Sequence, residues 1–173
     1  MASAIAAAPD LVSEAMRGAI GRVLRTRTSY PISASDIRKW AIAVYFPEPP
    51  PAEFMDAGAA GGERPLAAPH EFNPFAWASP GAEPRRAEIS AGFLEREAGV
   101  EPPDVKFMVN GGMVCEYGVR MTEGDVIGTQ FSIRGYAQKQ GKRGPLLLTE
   151  TQDRWTNQRG ELVRSTVMTL VRY

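Results

Sequence analysis

The sequence predicts one α+β domain, a curved antiparallel sheet with an apolar helix on its concave face. Three observations lead there. Residues 33–45 carry start signals and the period of an amphipathic helix. From about residue 106 onward, four runs alternate with a period near two, separated by Gly-containing turns. The chain has 173 residues, which suffices for one domain with a sizeable core. One helix followed by such a run of strands belongs to the α+β class.

Taken in order, residues 10–19 (DLVSEAMRGA) are expected to form a short helix with Leu11, Ala15 and Met16 inward. Residues 20–28 (IGRVLRTRT) read as a first strand centred on Val23, and Pro31 interrupts the chain after it. The main helix follows. Ser33 suits its N-cap, and Asp36 falls at the third helical position, near the positive end of the helix dipole. Ile32 and Ile37 occupy the two positions of a hydrophobic staple. Ile37, Trp40, Ala41 and Val44 keep the i, i+3, i+4, i+7 spacing of one buried face. Ile42 and Ala43 widen the apolar surface, so the helix is expected to be covered on more than one side. Pro47, with Pro49, Pro50 and Pro51 behind it, ends the helix.

Residues 46–104 differ in character: they hold eleven of the fourteen prolines, together with Gly58, Gly61 and Gly62. A stretch of that length without periodicity reads as an irregular functional segment, most mobile near 56–63. Its Phe72, Phe75 and Trp77 still require burial. Beyond it, MVCEYGVRM (113–121) places Met113, Cys115, Tyr117 and Val119 on one face. TEGD (122–125) is a turn, VIGTQFSIRGYAQ a strand with Ile127, Phe131 and Ile133 on one face, and GKRGP (141–145) a second turn. LLLTETQDRWTN, the turn NQRG (157–160) and LVRSTVMTLVRY complete a meander whose last strands leave an unpaired edge.

Composition narrows the function. Lys plus Arg and Asp plus Glu number 20 each, so no broad electrostatic footprint for nucleic acid or an anionic membrane is present. The single Cys115 excludes an intrachain disulfide and a multi-Cys metal site, and the single His70 excludes a His-rich one. The opening MASAIAAAPDL has no positive n-region and its apolar stretch stops at Pro9, so it does not read as a signal peptide. No segment approaches the ~20 apolar residues that span a bilayer. A cytoplasmic protein is expected.

Strand, helix, long excursion and four long antiparallel strands together resemble the hot-dog fold. SASDIRKWAIAV (33–44), Asn110-Gly111-Gly112, MTEGDV (121–126), GKRGPLLL (141–148) and GELVRSTVMTLV (160–171) resemble, in order and spacing, the N-terminal dehydratase-like hot-dog of the MaoC family. The resemblance implies a single hot-dog domain over residues 1–173, interrupted by the 46–104 segment. It also implies a chemistry. Active members hydrate trans-2-enoyl thioesters of coenzyme A or acyl carrier protein, or dehydrate the (R)-3-hydroxyacyl product. They use an Asp and a His five residues later in a G-D-x-N-P-x-H pattern. Water loses a proton as it attacks C3 while C2 gains one, so two proton-handling groups are needed. A backbone N–H stabilises the developing enolate.

With Pro49 on the motif proline, the aspartate position is Phe46 and the histidine position is Pro51. Neither handles protons. The resemblance then implies a non-catalytic half, with a MaoC-type hot-dog subunit as partner in a heterodimer or a dimer of heterodimers. No cofactor is implied beyond the coenzyme A thioester that is the substrate. Candidate acid–base groups of the chain's own are His70 and Glu48; Asp36 is explained by its helix turn, and Cys115 as a packed thiol. Phe46, Phe72, Phe75 and Trp77 are candidates to line an acyl channel. Asn110 and Gly111 offer backbone for close ligand approach, and Lys139, Lys142 and Arg143 offer charge for a coenzyme A phosphate or an acidic carrier. Two other readings stay open: an autonomous homodimeric hydratase using Glu48 or His70, and a non-enzymatic acyl-CoA-binding module.

Overall fold

The computed structural model describes residues 10–60, 64–76, 90–142 and 144–173. Five strands form one antiparallel sheet: β1 (Val23–Thr28), β2 (Met108–Tyr117), β3 (Gly128–Gly141), β4 (Gly144–Thr156) and β5 (Leu162–Arg172), in the order β1-β3-β4-β5-β2. Among the described residues, three helices accompany it: α1 (Glu14–Gly18), α2 (Ala34–Tyr45) and α3 (Phe93–Glu97).

Local chemistry sets the helix starts. Ser13 Oγ accepts from the Met16 amide at 3.2 Å. Ser33 Oγ accepts from the Asp36 amide at 3.1 Å and donates to Asp36 Oδ2 at 2.8 Å. Such a cap contributes about 1 kcal/mol. Ile32 and Ile37 are both buried, as a staple requires. Two turns at the same end of the sheet share one carboxylate. Asp125 accepts from the Thr122 amide (2.9 Å) and hydroxyl (3.0 Å), from Gln158 Nε2 (3.0 Å) and from Arg159 Nη1 (3.2 Å). The first turn is thereby tied to the second, 157–160.

The core lies on one face of the sheet in patches. Toward the 122–125 turn, α2 contributes Ile37 to a cluster with Leu66, Phe72, Met121, Ile127, Trp155 and Val163. Further along, α3 seats Leu94 and Ala98 against Ile133 and Leu170, while Val12 and Met16 of the α1 region cover Leu147. Under α3 lies a buried charge network. Arg172 makes a two-pronged pair with Glu95 (Nη1–Oε2 2.7 Å, Nη2–Oε1 2.8 Å) and also donates to Ala91 O and Thr149 Oγ1. Both charged side chains are fully buried. Tyr136 donates to Glu95 Oε1 at 3.0 Å; burial and the Glu95 charge push its phenol above its ordinary pKa.

The structure corrects several expectations. In α1 it is Met16, with Val12 before it, that is buried, whereas Ala15 is exposed because the helix starts only at Glu14. Val23 begins β1 rather than centring it. β2 runs 108–117, not 113–121. The meander holds only for β3-β4-β5; β2 pairs with β5. The last strand is therefore interior, and the free edges belong to β1 and β2. Val44, Ile42 and Ala43 are exposed, since one turn of α2 meets the core and its C-terminal turn runs past it. The 46–104 segment is not wholly irregular. It contains two 3-10 turns, Ala52–Phe54 and Ala57–Ala60, and α3, whose FLERE sequence is too short to carry a visible period.

Candidate functional site

The end of α2 is where the sequence places the site. Phe46 follows the last helical residue with extended backbone (φ −54°, ψ 134°), and its ring is 78% exposed. The Glu48 amide donates to Tyr45 O at 2.9 Å, and the Glu48 side chain is exposed. Pro51 opens the first 3-10 turn. That turn folds back along α2. Arg38 Nε donates to Met55 O at 2.8 Å, and the buried Phe54 ring sits 6.1 Å from Tyr45. Arg120, just past β2, reaches the same place, 5.7 Å over Phe54 and 3.7 Å from Glu53.

Residues 66–68 run antiparallel to 121–123, with Ala68 N bonded to Met121 O (2.8 Å) and Glu123 N to Leu66 O (2.9 Å). That register carries His70 back to the end of β2, where its ring lies 5.0 Å from Tyr117. The neighbouring Cys115 side chain first, then desolvation and the Glu71 carboxylate, hold the Tyr117 phenol above its ordinary pKa, against an opposing Arg164. His70, Tyr117 and Cys115 are thus brought together. Sequence reasoning placed Cys115 and Tyr117 on one face but missed His70, because a long loop separates it from β2. Glu48 stays apart in the exposed proline segment. Neither Phe46 nor Pro51 offers a proton-handling atom.

Among the other candidates, Phe72 is core, in edge-to-face contact with Trp40 at 5.7 Å. Phe75 is half-buried against Trp155 at 5.1 Å. Asn110 and Gly111 form a β-bulge on β2, where Asn110 Oδ1 accepts from the Gly112 amide at 2.8 Å. A Cβ on Gly111 would meet Val171 Cγ2 at 2.7 Å, so the bulge needs glycine there. Lys139 and Lys142 are exposed at the β3–β4 hairpin. Trp77 and Arg143 lie outside the described residues. No group of metal-ligating side chains occurs among the described residues, and none of their helices is long and apolar enough to cross a membrane.

The β2 edge completes the picture. Met113 is 60% and Val114 64% exposed, on opposite faces of a strand with one unpaired side. Phe107, Val109 and Tyr117 extend that exposed apolar surface.

A family model described as "FAS1-like, dehydratase domain region" matches residues 18–166. No curated protein matches. Among solved structures, the ChsH1-ChsH2 complex from Mycobacterium tuberculosis aligns at 16% identity with a TM-score of 0.57, covering 86% of this chain and 83% of that one. A MaoC-like dehydratase from Rhodospirillum rubrum aligns at 19% identity (TM-score 0.49, 88% and 92% covered). Another MaoC-like dehydratase aligns at 18% identity (TM-score 0.50, 88% of this chain and 42% of that one). At these identities the likeness is one of fold, the five-stranded antiparallel hot-dog.

Proposed function

The chain belongs to the family of the FAS1-like dehydratase domain region, and on that premise we propose that it is the non-catalytic subunit of a heteromeric (R)-specific enoyl-thioester hydratase or dehydratase. Its partner is a MaoC-type hot-dog chain carrying the Asp/His pair. The observation that carries this reading is the residue pair at the end of α2: with Pro49 placed on the motif proline, Phe46 and Pro51 fall where active members carry the Asp and the His. Hydration moves one proton from water and another to C2, and a ring and an imino acid can do neither.

What this chain contributes is shape and association. The exposed edge of β2, with Met113 and Val114, supports strand-to-strand pairing that continues the sheet into the partner. The likeness to a solved two-component complex is compatible with such an assembly. Phe46 and Phe75 are the aromatic groups offered to an acyl chain, and Lys139 and Lys142 the charges offered to a coenzyme A phosphate or an acidic carrier. The assay is hydration of crotonyl-coenzyme A by the chain alone and with a hot-dog partner that bears G-D-x-N-P-x-H. Activity only in the mixture is expected, and strong activity from the chain alone contradicts the reading.

A second reading rests on a separate observation. His70 lies 5.0 Å from Tyr117 at the free edge, an acid–base residue type beside a phenol. An autonomous enzyme using that site loses its activity in His70→Ala, and one using Glu48 loses it in Glu48→Ala. Unchanged rates in both variants leave the first reading standing.

A further inference from the structure

A strand that is wet on one side alternates apolar inward with polar outward. β5 breaks that rule on the face turned away from the core. Met168, Leu170 and Arg172 point inward, yet Val167, Thr169 and Val171 point outward between them. β4 breaks it too: Leu147 points inward, and Leu146 and Leu148 flank it on the outer face. The register lines these positions up in rows. Phe107 and Tyr173 exchange backbone hydrogen bonds at 2.8 and 3.1 Å, with their rings 5.6 Å apart. The next outward row is Val109, Val171 and Leu148, and the one after it is Gly112, Thr169 and Glu150. Phe107 is 61%, Tyr173 50% and Val109 48% exposed, so the described residues leave this end of the outer face uncovered.

Beside the apolar rows the outer face is hollow. Gly111 and Gly112 of the β2 bulge, with Thr169, border a recess of about 470 Å³ that Glu150 and Arg134 line further along. The aromatic pair and this recess therefore lie on either side of the Val109–Val171–Leu148 row. A knob and a recess placed evenly about an apolar row match a second copy turned about a two-fold axis along that row. The row then packs on its counterpart, and Phe107 and Tyr173 of each copy enter the recess of the other. Charge agrees with this arrangement. Lys139 pairs with Leu146 in the aromatic row, so it comes beside Glu150 of the second copy. Within one chain that carboxylate is met by Arg134 at 3.8 Å, both side chains being about half exposed. We infer that this outer face is the contact between two copies of this chain, packed sheet against sheet. The contact leaves the β2 edge free for the catalytic partner proposed above, and Lys142 is then the lysine left to a ligand. The inference goes beyond the hydratase reading and does not depend on it.

The test is size-exclusion chromatography with light scattering on the full chain alone, from micromolar to millimolar concentration. Twice the chain's 18.8 kDa is expected. Phe107→Asp removes the aromatic knob and is expected to raise the dimer dissociation constant at least about thirtyfold, the loss typical of a buried aromatic anchor. Thr169→Arg fills the recess without touching the aromatic pair and is expected to do the same. Met113→Lys, on the inward side of the β2 edge, is expected to leave the dimer intact. Val109→Lys replaces either of the first two variants if circular dichroism shows it unfolded. A monomer at every concentration overturns the inference, as does a dimer that survives Phe107→Asp or Thr169→Arg. A dimer that Met113→Lys dissociates also overturns it, since the copies then pair through their β2 edges. None of these results bears on the hydratase reading, which the crotonyl-coenzyme A assay tests separately.

Discussion

Glu95→Gln is the most informative single change for the fold. The native carboxylate meets Arg172 at 2.7 and 2.8 Å, accepts from Tyr136 at 3.0 Å, and is fully buried, as is Arg172. The amide keeps the volume and one acceptor but removes the negative charge, leaving a guanidinium in the core with a single orphan already at Nε. Breaking a buried pair from one side costs about 3–5 kcal/mol. A domain of this size has a total stability of about 5–15 kcal/mol, and 1 kcal/mol corresponds to about 2–4 °C of melting temperature. A loss of about 6–20 °C is therefore expected, with a matching fall in urea midpoint and little change in m-value. Glu95→Leu combined with Arg172→Met removes both charges and is expected to recover most of the loss. A Glu95→Gln variant within about 1 kcal/mol of the parent, or a double variant worse than the single one, would show that α3 is not anchored by this pair.

Val114→Lys puts a charge on the exposed β2 edge. It is expected to abolish co-elution with the proposed hot-dog partner in size-exclusion chromatography while shifting the isolated chain's stability by no more than about 0.5 kcal/mol. Burial alone would raise the Asp125 carboxyl, but the Thr122 amide and hydroxyl, Gln158 and Arg159 outweigh it and hold it below the usual carboxylate range. Its stabilisation is thus fully present above the unfolded value near ~4 and is lost as pH falls through the lowered folded value. Asp125→Asn should therefore lower the urea midpoint at neutral pH, and the gap to the parent should narrow progressively below about pH 4. Gly118→Ala is expected to cost about 1–3 kcal/mol, since its Cβ would fall 2.0 Å from the Leu162 carbonyl oxygen. Gly135→Ala meets nothing within 4 Å and should be neutral or slightly stabilising in the same thermal melt.

Features governed by near neighbours were legible in the chain. Ser33 and Asp36 lie three residues apart, so the cap of α2 could be read directly, and Pro47 marked its end. The turns at 122–125 and 157–160 announced themselves through Gly, Asp and Asn. That neither Phe46 nor Pro51 carries a proton-handling side chain is likewise a matter of residue identity alone. Features governed by pairing across the sheet were not legible. Alternation places Tyr117 on a face but cannot say that His70 will meet it, because that contact depends on the 66–68 segment aligning with 121–123. Glu95 in FLERE looks like a solvated charge until Arg172, 77 residues later, is laid beneath it.

Residue types and short spacings, on their own, determined the fold class, the bounds of α2 and the sheet-forming half. Only the folded chain decided that β2 is an edge and that α3 rests on a buried ion pair. The reason is physical: caps and turns are satisfied within a few residues, whereas burial, pairing and charge compensation are properties of whichever distant segments the sheet brings side by side.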